Sequence, residues 1–281
     1  MSRNRENPVV ARLTDLDRGD KRRFAAADDK QFVTALARGL DVLRAFSEGS
    51  ALLGNQELAQ LTQLPKATVS RLTYTLSRLG FLDYDRRLGK YRPGIAGLAL
   101  GHNALRALPV RHIAHPLMLE MSQRSSCTVS LLVRDRLDVV IVEQCVAAGD
   151  FAVPRELGVR VPITETGLAR HLLVGLPKPE RLYVLEHLER TRPKAWPDLD
   201  KNLYAALAEY QRLGFTISDG EPGHRTVSIG APCITADGAR VVAFSCMAPE
   251  FRLSRERMIA EIGPQLLAMV ERVRATLESG D

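Results

Sequence analysis

A chain of 281 residues, 45% hydrophobic and 26% charged, has the length of two globular domains and the composition of a soluble protein. It contains no apolar run near the roughly 18 residues of a membrane span and no secretory h-region, so no membrane partner and a cytoplasmic location are expected. The net charge of +6 lies in the N-terminal third: residues 1–92 hold 17 Lys or Arg against 11 Asp or Glu, and the rest holds 22 of each. A basic third beside a neutral remainder suits one part meeting phosphate and another doing something else; a chance surface imbalance is the alternative.

In chain order, residues 1–32 are polar, include RGDKRRF, and read as a disordered basic arm, able to touch phosphate or simply solvated. From Val33 to residue 93 the pattern is that of a winged helix-turn-helix. Val33, Leu36, Leu40 and Leu43 form a helical stripe running towards Phe46, with Gly49 beyond. Leu58, Ala59 and Leu61 mark a short helix opening at Gly54 or Asn55, with Glu57 in its first turn. Thr62 to Leu64 leave room only for a tight turn.

The next helix starts near Pro65 and ends at Gly80, the residue type suited to a left-handed cap. Val69, Leu72, Leu76 and Leu79 recur at three, four and three residues and are expected to be buried. The opposite face carries Ala67, Ser70, Arg71, Tyr74 and Arg78, small, hydrogen-bonding and cationic groups that suit a DNA groove. Phe81–Tyr84 and Lys90–Arg92 read as strands around Asp85, Arg86, Arg87, Leu88 and Gly89, a hairpin with a basic tip. A lone helix pair is weak evidence; helix, tight turn, helix and basic wing in order is specific. Candidate contacts to double-stranded DNA are Ser70, Arg71 and Tyr74 near bases, Lys66 at phosphate, and Arg86, Arg87 and Lys90 along the backbone. Asn55, Gln56, Ala67 and Thr68 complete the set.

Pro93 and Gly94 break the chain, and Ile95, Leu98, Ala99, Leu105 and Leu108 begin a helix spanning 94–110, read as an interdomain linker whose apolar face needs a partner such as a second subunit. Residues 111–281 form the second domain. Ile113, Leu117, Met118 and Met121 mark a helix. CTVSLLV and DVVIVEQCV, joined across Arg134 to Leu137, are β-branched strands. VSIGAPCI and RVVAFSCM flank an Asp237-Gly238 turn, a hairpin signal. Helices are expected over Thr166–Val174, around Glu180–His187, along Leu199 to Leu213, and from Ile259 to Leu277. The fold class is α+β on an antiparallel sheet.

Cys127, Cys145, Cys233 and Cys246 show no zinc-ligand spacing, so reduced, buried thiols and no metal or cofactor are expected; a redox pair or soft-metal site is the alternative. His171 and His224 stand near apolar runs, where a lone histidine is more often structural than catalytic. GxSxG, HExxH and GxxxxGK motifs are missing from the sequence, which argues against catalysis. An enzyme using Cys127 or Cys145 as nucleophile is the alternative function.

The order and spacing of ALARGLDVLRAF, NQELAQLTQLPKATVSRLTYTLSRLGFL, GKYRPG, LGVRVPITETGLARHLL and the VSIGAPCI and VVAFSCMAP strands resemble the IclR family of bacterial transcriptional regulators over residues 33–277. The resemblance implies a winged-helix domain, a linker helix, a GAF-like effector domain that takes a small metabolite, and dimers or tetramers. Relatives often carry a His-Ala-Thr-Ala-like run followed by Gly and a basic residue; here Thr164, Glu165, Thr166, Gly167 and Leu168 stand there, then Ala169 and Arg170. Carried over by position, the effector-binding residues would be Val153, Val161, Thr166, Gly167, Leu168, Thr226, Ser228, Ser245 and Met247. Hydroxyls beside apolar walls, with a helix opening after Gly167, suit a small organic or aromatic acid. The ligand's charge is therefore expected to be negative.

Overall fold

The computed structural model describes residues 31–47, 52–146, 157–219, 225–234 and 241–279. They form two compact units that divide between Ala107 and Leu108. The arm up to residue 30, Gly49, Val153, His224 and the Asp237-Gly238 turn lie outside the described residues.

The first unit contains α1 (Thr34–Arg44), α2 (Asn55–Thr62), α3 (Lys66–Arg78), the hairpin β1 (Leu82–Asp85) and β2 (Lys90–Pro93), and α4 (Ile95–Arg106). Val42, Ala45, Leu53, Leu58, Val69, Leu76 and Leu82 make its core. Gln63, in left-handed backbone at φ 57°, ends α2. Pro65 takes the cap position of α3, one residue outside the helix, where its missing N–H leaves nothing unpaired. Gly80 at φ +76° follows α3, as expected of the left-handed residue that lets a chain leave a helix. Gly94 is fixed by close approach: a Cβ there would sit 2.2 Å from the Gly80 carbonyl oxygen.

Two apolar stripes behave differently from expectation. On α3, Leu79 is 62% exposed while Thr73 is fully buried. Leu79 falls about 80° around the helix from Val69, whereas Thr73 falls only about 40° away. The Thr73 hydroxyl is satisfied inside, donating to the Val69 carbonyl at 3.0 Å and to Asn55 Oδ1 at 3.1 Å. On α1, Gly39 and Val42 face the core and Leu43 packs against it, but Val33, Leu36 and Leu40 point outward. Periodicity locates an apolar stripe without saying what covers it.

The second unit holds α5 (Pro109–Ser125), β3 (Thr128–Asp135), β4 (Asp138–Cys145), β5 (Arg160–Pro162), α6 (Leu168–Leu173), α7 (Lys178–Thr191), α8 (Trp196–Leu213), β6 (Thr216–Ser218), β7 (Thr226–Ile234), β8 (Val241–Pro249), the turn-length α9 (Arg255–Arg257) and α10 (Gly263–Ser279). Its six strands run antiparallel in the order β5-β4-β3-β8-β7-β6. The short strands β5 and β6 are absent from the sequence reading, since three residues carry no readable alternation. The helix expected from Thr166 is only α6, six residues long, and the one expected around Glu180–His187 extends over all of α7.

One sheet face packs on α5 and α10 and the other on α6. On the α6 side Leu132, Ile141, Leu168, Leu172, Leu188, Leu203 and Met247 form one core with α7 and α8. A register shift between Leu131 and Leu132 reverses the alternation along β4. Ile141 therefore joins that core, while Glu143 and Cys145 turn towards α5. Before α10 the helix widens into a π turn at Met258–Ile262. There Gly263 lies against Phe215, whose ring would be 2.3 Å from a Cβ.

Candidate nucleic-acid interface and polar sheet face

The sequence of α3, KATVSRLTYTLSR, has three cations and no acid. With Val69 and Leu76 turned inward, Lys66, Ala67, Ser70, Arg71, Tyr74 and Arg78 are all exposed, Tyr74 by 67%; Thr68 is half-buried. The face read from the sequence is therefore open to a groove. At the wing tip Asp85 Oδ1 accepts the amides of Arg87 at 2.9 Å and Leu88 at 3.0 Å, and Gly89 at φ +64° completes the turn. Arg86 and Arg87 stay exposed, and the Tyr84 and Tyr91 rings stack across the strands at 4.8 Å. Gln56 is exposed. Two other candidates already have partners: Asn55 Oδ1 receives the Thr73 hydroxyl, and Lys90 Nζ lies 2.8 Å from Glu57 Oε1.

The α6 side of the sheet is unusually rich in hydroxyls, and the register aligns them. Thr216, Gly230, Ser245, Ser130 and Gln144 form one row across four pairings; Ser218, Ser228, Met247 and Thr128 form the next. His171 stands over Gly230, whose missing side chain makes room for the ring. Its Nδ1 meets Thr216 Oγ1 at 2.6 Å and its Nε2 meets Ser228 Oγ at 3.0 Å. Full burial, with Arg170 next to it, pulls this imidazole down to about 3. It is neutral and structural, as expected of a lone histidine. Gln144 Nε2 donates to Ser130 Oγ at 3.0 Å, and Arg170 Nη2 donates to Ser218 Oγ at 2.7 Å. Ser245 is different: its Oγ is buried and has no hydrogen-bond partner.

Set against this geometry, the nine effector candidates divide. Thr166 Oγ1 accepts the Leu168 amide at 3.1 Å, capping α6, and Ser228 serves His171. Leu168 and Met247 are core. Val161 and Thr226 are half-buried on β5 and β7, and Val153 lies outside the described residues. Gly167 is tightly packed, since a Cβ there would come within 1.8 Å of Ser218 Oγ. With its first amide taken and six residues in all, α6 is too short to supply the helix-dipole argument for an anion. The positive charge nearby is Arg170, which sequence reasoning named only in passing. Burial lowers its pKa from the ordinary value, opposed by Asp219 and Glu209 at longer range, and it has no ion-pair partner among the described residues. Glu209 is occupied elsewhere, by the Ile217 amide at 2.7 Å and Arg255 at 2.6 Å.

Residues 35–86 match the IclR helix-turn-helix domain and residues 102–275 match the bacterial transcriptional regulator IclR C-terminal domain. The HTH-type transcriptional regulator TsaQ1/TsaQ2 of Comamonas testosteroni is 35% identical over 88% of this chain and 89% of its own length. The chain belongs to the IclR family. An IclR family transcriptional regulator from Brucella abortus has a crystal structure 38% identical to it, with a TM-score of 0.81 over 94% of this chain and 98% of that one. An IclR homolog of Microbacterium hydrocarbonoxydans complexed with 4-hydroxybenzoate shares the fold at 24% identity and a TM-score of 0.66, over 88% of this chain and 100% of that one.

As an IclR-family member the chain is a DNA-binding transcriptional regulator and not an enzyme, which sets aside the reading of Cys127 or Cys145 as a nucleophile. The thiols agree with that assignment. All four are free and buried, and burial raises each pKa, to about 11 for Cys145 and Cys233. The fold brings His115 Nδ1 to 3.9 Å from Cys145 Sγ, a pairing invisible in the sequence. The neighbouring Glu143 carboxylate pushes that thiol further up, the opposite of activation. Cys246 packs its sulfur 3.9 Å from Met121 Sδ. Among the described residues there is no cluster of His, Cys, Asp or Glu able to hold a metal, and no helix is long and apolar enough to cross a membrane.

Proposed function

We propose that this IclR-family regulator acts in the cytoplasm as a homodimer or a tetramer. It reads two half-sites of a double-stranded operator through Ser70, Arg71 and Tyr74, with Lys66, Arg86 and Arg87 on phosphates. Its affinity for DNA responds to a small organic or aromatic acid held on the α6 side of the sheet. The observation that carries the effector reading is the buried, unpaired Ser245 hydroxyl on a face whose neighbouring hydroxyls have partners. An orphan buried hydroxyl costs about 1 to 3 kcal/mol, which a ligand acceptor or donor would recover. Arg170, without a carboxylate partner, supports an anionic ligand.

Oligomerisation rests on apolar surface. Val33 at the start of α1 and Leu36 and Leu40 along it, and Ile95, Leu98 and Leu100 along α4, are all exposed in the DNA-binding unit, more than a lone unit leaves to water. One winged helix also buries too little for tight specific binding, so two act on symmetric half-sites. The helix α4 would carry the coupling, and the ligand can shift the DNA-bound arrangement only by its differential affinity, about 1 to 3 kcal/mol.

The test uses the full chain with 4-hydroxybenzoate and its neutral counterpart 4-hydroxybenzamide as probes. Thermal shift should rise with the acid, since a ligand at about 100 times its Kd adds roughly 2.7 kcal/mol, and Ser245→Ala should reduce the shift. Retardation of a duplex carrying the chain's own upstream region should change with the same acid. A shift that Ser245→Ala leaves intact would place the effector elsewhere, and a monomer sedimenting with operator would remove the dimer.

A further inference from the structure

Among the described residues an ion pair joins the wing to the helix-turn-helix, and it involves a cation expected to lie on DNA. Lys90, the first residue of β2 and paired with Asp85 beside the turn, puts Nζ 2.8 Å from Glu57 Oε1 on α2. The other oxygen of the same carboxylate, Oε2, accepts the Gly54 amide at 2.6 Å, closing the N-terminus of α2. Both contacts hold Glu57 below the usual carboxylate range, the Lys90 bond being the larger cause. Around it the backbone is joined as well: the Leu53 amide donates to the Tyr91 carbonyl at 3.0 Å and the Tyr91 amide to the Leu53 carbonyl at 2.8 Å. Gly54 comes close enough that a Cβ would lie 3.7 Å from the Gly89 carbonyl and 3.9 Å from Lys90 Cγ. On the far side of α2's first turn, Asn55 Oδ1 takes the Thr73 hydroxyl of α3. Asn55 and Glu57, both in the first turn of α2, thus tie that helix to α3 and to Lys90 of the wing.

We infer that Lys90 and Glu57 act as positioning residues that set the wing against α3, and that Lys90 is not one of the phosphate contacts. Lys90 Nζ is drawn to a carboxylate that also holds the Gly54 amide, so a phosphate would have to compete with that contact. The exposed cations of the wing, Arg86 and Arg87, lie in the turn just before Lys90, where Asp85 Oδ1 accepts the Arg87 and Leu88 amides. The wing's charge at DNA is thus supplied by Arg86 and Arg87, while the pair of Lys90 and Glu57 beside the turn holds the angle at which they are presented.

The two roles of Lys90 predict opposite signs for a change at its partner. Operator binding by the full chain is measured on its upstream duplex and on a scrambled duplex, across a series of salt concentrations, for Glu57→Gln, Lys90→Met, the pair of them, and the exchange Glu57→Lys with Lys90→Glu. A positioning pair gives similar several-fold losses for both single variants and no further loss in the double variant. The salt slope for Lys90→Met then matches wild type, and the exchanged pair recovers part of the loss. A phosphate-bound Lys90 lowers the slope by about 1, and Glu57→Gln then tightens binding by removing a negative charge near the DNA. Tighter binding by Glu57→Gln, or a reduced slope for Lys90→Met, overturns the inference. The exchanged pair keeps both charges, so its affinity decides the question even where a single variant loses stability.

Discussion

Acidification should destabilise the second unit through one side chain. His171 is fully buried, hydrogen-bonded to Thr216 and Ser228, and held down at about 3 against an ordinary 6.5. Below 6.5 the unfolded chain takes up a proton that the native state refuses until about 3. Stability is therefore whole above 6.5 and falls as pH drops through the window between the two values. At pH 5.0 the loss is about 2 kcal/mol, one and a half pH units of slope at about 1.36 kcal/mol each. For a unit of this size that is roughly 4 to 8 °C in Tm.

Trp196 is the sole tryptophan of the chain and packs against the core of the same unit, so its fluorescence isolates that transition during urea unfolding at pH 7.5, 6.5, 5.5 and 5.0. Other groups titrate over this range, so the decisive quantity is the difference between wild type and His171→Gln, which has no imidazole to protonate. The variant should be less stable at neutral pH and should lose about 2 kcal/mol less between pH 7.5 and 5.0. Equal losses in the two proteins would refute the assignment of the pH dependence to His171.

Arg71→Ala should cost about 1 to 3 kcal/mol on the operator and much less on a scrambled duplex, measured by titration at fixed salt; equal losses would mean that Arg71 reads no base. Ser245→Ala removes an unpaired hydroxyl, so the ligand-free unit should be unchanged or up to about 1 kcal/mol more stable in urea, and a clear loss of stability would show that the hydroxyl has a partner. Gly94→Ala drives a Cβ into the Gly80 carbonyl and should destabilise the first unit by about 1 to 3 kcal/mol, read as a lower Tm with reduced operator binding; an unchanged Tm would mean that the backbone yields there.

The parts legible in the sequence are those set by neighbours along the chain. A tight turn ended by Pro65, the helical period of α3 and the glycine after it are local signals, and they give the exposed face with Ser70, Arg71 and Tyr74. Pairings across the fold leave no such mark. Ser228 and Ser245 are the same residue type on adjacent strands, yet one is satisfied by His171 from 57 positions away and the other by nothing. Lys90 and Glu57 are 33 positions apart, and each alone reads as a solvated charge. On α1 the period is correct and the inference of burial is not, because a helical stripe does not say which of its residues meet the core: Gly39 and Val42 do, while Leu36 and Leu40 are exposed.

The dimensions of the polar face constrain a ligand proposed to lie on it. Ser218, which receives Arg170, is on β6, and Ser245 is on β8, with β7 between them. Two strand spacings are about 9.6 Å, and the two serines also differ by two residues, about 7 Å, along the strands, so their backbones are on the order of 12 Å apart. The long reach of Arg170 shortens the gap, but a two-carbon acid would still meet only one end. A ligand using both needs an acid at one end, an apolar middle to lie along Met247, and a hydrogen-bonding group at the other. We therefore expect 4-hydroxybenzoate to stabilise the full chain more than benzoate does, and benzoate more than acetate. Arg170→Gln should reduce the shift given by both aromatic acids. Ser245→Ala should erase the advantage of 4-hydroxybenzoate over benzoate, because only the hydroxyl is aimed at Ser245. An acetate shift equal to that of 4-hydroxybenzoate, or a hydroxyl advantage that survives Ser245→Ala, would show that the two ends are not used together.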